Sequence, residues 1–208
     1  MENTFYSQAY QDKFVANMLK FKKDGTCVDI GSYHSVETNN SFYFQDLDWF
    51  CLSIEMDSSL NDSYSNRKNG LHLNENALEV NYKEVFRECE FPEIIDYLSL
   101  DVDTASSSVL RILPFDEYKF RIITIEHDAY LHGDRYRSQQ RKVLEDNGYH
   151  LLCSNVLVPY THSTTGERFL TDKCPFEDWW IWPDEFEKSL IESMQCDMKH
   201  PEEIVDKF

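Results

Sequence analysis

The side chains of this sequence that could carry chemistry fall at the ends of short apolar runs. Val28-Asp29-Ile30-Gly31-Ser32 closes on a glycine, and Leu52-Ser53-Ile54 is followed by Glu55. In doubly wound α/β sheets, ligands bind outside the carboxyl ends of the strands. A glycine there lets a ligand approach the backbone, and an acid ending the second strand can accept ribose hydroxyls. No further glycine follows Gly31 in the Gly-x-Gly-x-x-Gly spacing that holds a pyrophosphate, and there is no Gly-x-x-x-x-Gly-Lys-Ser/Thr loop. Both absences favour a nucleoside ligand without phosphates, S-adenosylmethionine.

A second group of acids lies further on. Asp101 and Asp103 follow the run Ile94 to Leu100, and Glu126 and Asp128 follow Arg121 to Ile125. Residues two apart on a strand project to one side, so the four carboxylates would crowd one sheet edge. Such crowding is unfavourable unless a proton is shared, a cation is bound or a basic side chain intervenes. Asp101, Glu126 and the adjacent His127 are the candidate catalytic residues, with Asp103 and Asp128 supporting the substrate. Mg²⁺ would accept Asp101, Asp103, Glu126 and Asp128 as oxygen ligands and could lower the pKa of a bound hydroxyl. The alternative is that several of these acids cap helices or pair with Arg135 or Arg137.

Two further segments stand out. Glu177-Asp178-Trp179-Trp180-Ile181-Trp182-Pro183 puts three tryptophans beside two acids after the last expected strand. Trp179 is the best candidate to stack on a substrate ring, with Asp178 bonding a hydroxyl; the other reading is that the aromatics dock a C-terminal helix on the sheet. Arg135, Arg137, Arg141 and Lys142 form a basic cluster that could accept an anionic group, although a solvated helix face is the commoner reason for such a run.

The elements that must position these residues follow from hydrophobic pattern. Cys27 to Ile30, Phe50 to Ile54, Leu71 to Leu73, Ile94 to Leu100, Arg121 to Ile125 and His150 to Cys153 are apolar runs of strand length. Between them Gln11 to Phe21, Tyr82 to Cys89 and Ser106 to Leu113 carry helical stripes. Strands alternating with helices predict a mostly parallel α/β sheet with helices on both faces. Residues 155–170 are expected to hold returning strands. Asp184 and Glu187 have capping-box spacing, and Pro201 can open a last short helix. The chain reads as one domain, 1–208, with an N-terminal helical segment (1–24) and a C-terminal aromatic and acidic helical segment (175–208).

Composition excludes other classes. The 208 residues carry 20 basic and 38 acidic side chains, a net charge of −18, which repels a phosphate backbone, so no nucleic-acid partner is expected. No run approaches the roughly 18 apolar residues of a membrane span, and no basic, apolar leader precedes the first strand; a cytoplasmic protein without a membrane partner is the expectation. The six cysteines form no Cys-x-x-Cys pair, which points to reduced structural thiols.

Across most of its length the chain resembles the FkbM-type S-adenosylmethionine-dependent methyltransferases. The resemblance is carried by Ser7-Gln8-Ala9-Tyr10-Gln11-Asp12, Val28-Asp29-Ile30-Gly31, Asn39-Asn40-Ser41, Ile54-Glu55, Asp96-Tyr97-Leu98-Ser99-Leu100-Asp101, Ile125-Glu126-His127, Gly148-Tyr149 and Glu177-Asp178-Trp179-Trp180. It implies a Rossmann-like class I methyltransferase fold of about seven strands, the last one reversed. By the same resemblance Asp29, Gly31 and Ser32 line the methionine end, with Asn40 and Ser41 beside them. Glu55 holds the ribose, Asn76 and Ala77 lie near adenine, and Gln8 and Asp12 sit at the cofactor mouth. It further implies O-methylation of a sugar or other small hydroxylated metabolite or glycan. Two departures from the family pattern, Ser35 in place of a second glycine and Asp103-Thr104 in place of an acid-glycine pair, leave a non-catalytic binding module as the alternative. A divalent-metal-dependent hydrolase is the third reading.

Overall fold

In the computed structural model, residues 4–158, 160–161, 168–169 and 174–208 are described. Eight strands form one sheet: β1 (Thr26–Ile30), β2 (Phe50–Ile54), β3 (Gly70–Leu73), β4 (Ile94–Leu100), β5 (Lys119–Glu126), β6 (His150–Leu157), β9 (Pro175–Ile181) and β10 (Cys196–Asp197). Their spatial order is β10-β6-β9-β5-β4-β1-β2-β3. All pairings are parallel except those of β9, which runs antiparallel to both β5 and β6. The two-residue strands β7 (Tyr160–Thr161) and β8 (Arg168–Phe169) pair with each other. The rest of the expected returning region 155–170 beyond β6 lies outside the described residues.

The sheet therefore has eight strands rather than seven, because the short β10 adds to the free edge of β6. A second correction concerns Pro175–Ile181. This segment is the reversed strand itself, inserted between β5 and β6, and not a helical segment after the sheet. Its continuous burial explains why period-two alternation could not reveal it. The capping box of the C-terminal region is also elsewhere: Glu187 precedes α7 (Lys188–Met194) without a side-chain cap. His200 and Glu203 instead make the reciprocal cap of α8 (Pro201–Val205), with Pro201 at its first position as expected.

Helices cover both faces. Val28, Ile30, Leu98, Leu100, Ile123 and Ile125 pack against α3 (Tyr82–Glu88), α4 (Ser106–Ile112) and the Leu144 face of α6 (Arg135–Asp146). The other face of the sheet joins α1 (Gln11–Met18), α7 and α8 through Phe14, Tyr97, Ile122, Trp179, Met194 and Ile204. Trp179 lies in that second layer, fully buried, its ring 4.3 Å from Phe14. It cannot stack on a substrate, so the expectation for Trp179 is corrected: its ring is core. All six cysteines are free, as expected.

Truncating a fully buried indole removes transfer free energy and leaves a cavity. Trp179→Ala is expected to lower the unfolding free energy by about 3–5 kcal/mol in chemical denaturation. A loss below about 1 kcal/mol would show that the ring is not part of the core.

Candidate active site at the carboxyl edge of the sheet

Strand order reverses between β4 and β1, and a cavity of about 440 Å³ opens there at the carboxyl ends of β1, β2 and β4. Gly31, with φ of 77°, ends β1, and a Cβ on it would collide with the carbonyl oxygen of Asp101 at the end of β4. Only glycine permits this closeness and this backbone conformation. The amide of Gly31 donates to the Ile54 carbonyl at 2.9 Å, and the amide of Asp101 donates to the Ile30 carbonyl at 2.9 Å, which fixes the three strand ends against one another.

The cavity wall contains Asp29, Gly31, Ser32, Asn40, Glu55, Asn76, Ala77, Asp101 and Asp103. These are all but one of the positions expected to hold a cofactor, together with two from the acid group. Both carboxylate oxygens of Glu55 accept backbone amides, from Tyr33 at 3.0 Å and Asp57 at 2.8 Å. That fixes the rotamer and leaves lone pairs for ligand hydroxyls. The exception is Ser41, which is buried behind the wall. Its hydroxyl donates to Asp29 at 2.8 Å and accepts from Arg67 at 2.7 Å. Burial pushes the Asp29 carboxyl up to about 6, against the opposing pull of Ser41 and Arg67. Arg67, which no sequence pattern marked, is thus the counter-charge of Asp29 held at one remove.

The N-terminal motif divides in the same way. Gln8 lines the cavity, whereas Asp12 is buried and accepts the amides of Tyr6 at 2.6 Å and Ser7 at 3.2 Å and the hydroxyl of Ser7 at 2.5 Å. Asp12 holds the Ser7–Thr38 bridge in place, and Gln8 hangs from it over the mouth. Ser35 does not narrow the cavity: its hydroxyl donates to the Ser63 carbonyl at 2.6 Å, outside the wall. Thr104 sits in a 3-10 turn without positive φ; the left-handed residue is Asp103, at 48°.

A smaller polar annex, of about 20 Å³, adjoins the cavity through the shared residues Gln8, Thr38, Asn40 and Asp101 and continues to Gln11, Thr124, Glu126 and Glu177. Glu177 is a site residue that sequence reasoning had not singled out, because it lies on the unrecognised strand β9. Burial pushes its carboxyl up to about 8, although the Trp179 indole donates to it at 2.7 Å. Glu126 is driven further, to about 12, by burial and by a hydrogen bond shared with Asp101, with Asp128 adding to the effect. Burial also raises Asp101. Glu126 therefore keeps its proton at neutral pH and shares a hydrogen bond with Asp101, whose own carboxyl is pushed upward by burial.

Other expected participants are committed elsewhere. His127 is buried; its Nδ1 accepts the Ala129 amide at 3.1 Å, and its Nε2 faces Asp178 at 3.5 Å. It is therefore not a general base facing the cavity. Asp178 is fully buried and receives Arg141 through two hydrogen bonds of 2.8 and 2.9 Å. Burial alone would raise its pKa, but His127 and Arg141 hold it down to about 2. It is a structural anion and not a substrate contact. Arg137 pairs with Asp134, Lys142 with Asp146 and Arg141 with Asp178, so three of the four basic side chains have acidic partners away from the cavity. Asp128 does not line either cavity. Among the described residues, no three His, Cys, Asp or Glu side chains converge as a metal ion would require. The proposed Mg²⁺ set of Asp101, Asp103, Glu126 and Asp128 is thus corrected to a proton-sharing carboxyl group.

No family model and no curated protein matches the chain. Solved structures do match it in three dimensions. A Klebsiella pneumoniae protein provisionally named an O-methyltransferase superposes with a TM-score of 0.56 at 10% identity, over 83% of this chain and 80% of its own. A Pyrococcus horikoshii protein provisionally named an RNA methyltransferase gives 0.53 at 12% identity, over 83% of both chains. A S-adenosylmethionine-dependent O-methyltransferase from Thermotoga maritima gives 0.50 at 12% identity, over 87% of this chain and 67% of its own. The likeness is one of fold: the chain has the Rossmann-like methyltransferase fold. Among the described residues, no helix is long and apolar enough to cross a membrane.

The raised carboxyls set the pH dependence of stability. In the folded state Asp29 and Glu177 keep their protons to about 6 and about 8, whereas in the unfolded chain they lose them near 3.8 and 4.5. Between those limits the native state binds more protons, so the slope of unfolding free energy with pH is negative. Their contribution is fully present below the unfolded values and is lost as pH rises through the folded ones. Asp178 acts oppositely, its contribution disappearing only below about pH 3.8. The melting temperature should be higher at pH 5 than at pH 8, and Glu177→Gln should raise it at pH 8 and flatten the slope. A melting temperature that rises from pH 5 to 8 would contradict these protonation states.

Proposed function

We propose that this chain is a S-adenosylmethionine-dependent methyltransferase of the FkbM type, acting on a hydroxyl of a sugar or other small polar metabolite. The observation that carries the reading is the cavity at the β1–β4 reversal. Its wall holds five acids, Asp29, Glu55, Glu75, Asp101 and Asp103, and no Lys, Arg or His among the described residues. A ligand with phosphates would be repelled there, whereas a nucleoside carrying a sulfonium and an ammonium is complementary. The Gly31 backbone, where a Cβ has no room, gives the close approach such a ligand needs.

In this reading Glu55 holds the ribose hydroxyls, Asp29 and Gly31 the amino-acid end, and Asn76 and Ala77 the base, all of them on the cavity wall. When bound, the cofactor supplies a methyl group already activated as a sulfonium. What remains for the chain is alignment and proton removal. In the same reading Asp101 accepts the hydroxyl proton, and Glu126, already protonated, stabilises the arrangement by hydrogen bonding. Ser35 and Thr104, the two departures from the family pattern, do not line the cavity. Oxygen as the accepting atom rests on the family resemblance. RNA, which the names of two fold neighbours carry, is disfavoured by the charge of −18.

Calorimetric titration with S-adenosylmethionine and S-adenosylhomocysteine should give micromolar binding that weakens at least tenfold in Glu55→Ala. Asp101→Asn should keep that binding and lower methyl transfer by about 10²–10⁴-fold, the usual contribution of a positioned base. Absence of binding to either nucleoside would remove the methyltransferase assignment.

A further inference from the structure

The cavity and its annex restrict the acceptor as well as the cofactor. Their combined wall has seven carboxyl groups, those of the main cavity together with Glu126 and Glu177, and no basic side chain among the described residues. The nearest cations are engaged: Arg67 donates to Ser41, Asn39 and the Ser35 carbonyl, and Arg141 to Asp178 and Asn155.

One acceptor atom at the junction of the two spaces is unspent. Asn40 lines both; its Nδ2 donates to Ser99 at 2.8 Å, but its Oδ1 is buried without a partner. An orphaned buried acceptor costs free energy until a donor reaches it. Asp103, by contrast, is exposed on the cavity wall and stands within Coulombic range of Asp101. An entering group thus meets the unpaired Asn40 acceptor and the exposed Asp103 carboxylate on one cavity wall. A single hydroxyl has one proton to donate and no charge, and it answers only part of that environment.

Resting on the methyltransferase reading, we infer that the acceptor is a cationic polyol: a small hydroxylated molecule that also carries an ammonium group, of the amino-sugar class. The hydroxyl faces the Asp101–Glu126 pair in the annex, which has room for a group the size of a water molecule. The ammonium, a donor of three hydrogen bonds, satisfies Asn40 Oδ1 and the carboxylates at the cavity mouth, with Asp103 the exposed one. Phosphorylated sugars and nucleic acids are rejected by the same charges.

The test uses the full chain loaded with S-adenosylhomocysteine, whose binding is measured first. Glucosamine, glucose and glucose 6-phosphate are then titrated as probes, and methyl transfer to each is followed with labelled cofactor. The expected result is at least tenfold tighter binding of glucosamine than of glucose, weakening as salt is raised, with no binding of the phosphate. Asp103→Asn, at an exposed position, should reduce the ratio between the amine and the neutral sugar. Equal binding of glucosamine and glucose, preference for the phosphate, or no binding of any probe to the loaded protein would overturn the cationic acceptor and leave the cofactor assignment standing. Failure of the first titration would instead remove the methyltransferase reading, and this inference with it.

Discussion

The site depends on one close approach. The carbonyl of Asp101 lies where a side chain on residue 31 would begin, so the ends of β1 and β4 meet only because residue 31 is glycine. That contact sets the crevice at the point where strand order reverses, and every lining residue is placed relative to it. Glu55 ends the neighbouring strand, Asp101 provides both the crowding carbonyl and a carboxylate, and Asn40 bridges to Ser99 on β4. The glycine exchanges local backbone freedom for a cavity.

A second constraint follows from that crowding. Asp29, Asp101, Glu126 and Glu177 are carboxyls taken largely out of water at one edge of a sheet, and isolated charges there would be costly. The fold resolves this in two ways. Asp178 is neutralised by Arg141 and stays ionised, whereas Glu126 and Glu177 retain protons. Asp29, pushed up only to about 6, is steadied by the Ser41 hydroxyl and by Arg67 behind it.

Much of this was legible in the sequence, and what was not has a physical reason. Strands β1 to β6 appear as apolar runs because parallel strands covered on both faces need apolar residues throughout. The same rule hid β9: its core is written Glu-Asp-Trp-Trp-Ile, and two acids in a buried strand look like a surface loop until their partners are known. Of those partners, Arg141 is tertiary, thirty-seven residues from Asp178, whereas the Trp179 indole reaches Glu177 from two residues along the same strand. Hence Asp178 and Trp179 were assigned to the substrate when they belong to the core, and Glu177 was missed. Spacing placed Asp101, Asp103, Glu126 and Asp128 at one edge correctly, but whether acids share protons or a metal is decided by distances that spacing does not contain.

The N-terminal segment shows how a motif can be functional without each residue touching a ligand. Asp12 spends its carboxylate on Tyr6, Ser7 and the Lys13 amide, and Gln11 receives the Ala9 amide through its side-chain oxygen at 2.8 Å. These bonds curl the chain ahead of α1 so that Gln8 alone reaches both the cavity and the annex. Asp12 then acts through Gln8 as a positioning residue, and burial that raises its own pKa is offset by the four donors around it. The conformation of the mouth is therefore set by a hydrogen-bond network remote from the reacting groups, and the same arrangement recurs at Ser41 and Arg67 behind Asp29. In both places the residues that line the cavity are few, and the buried polar residues around them determine where they point.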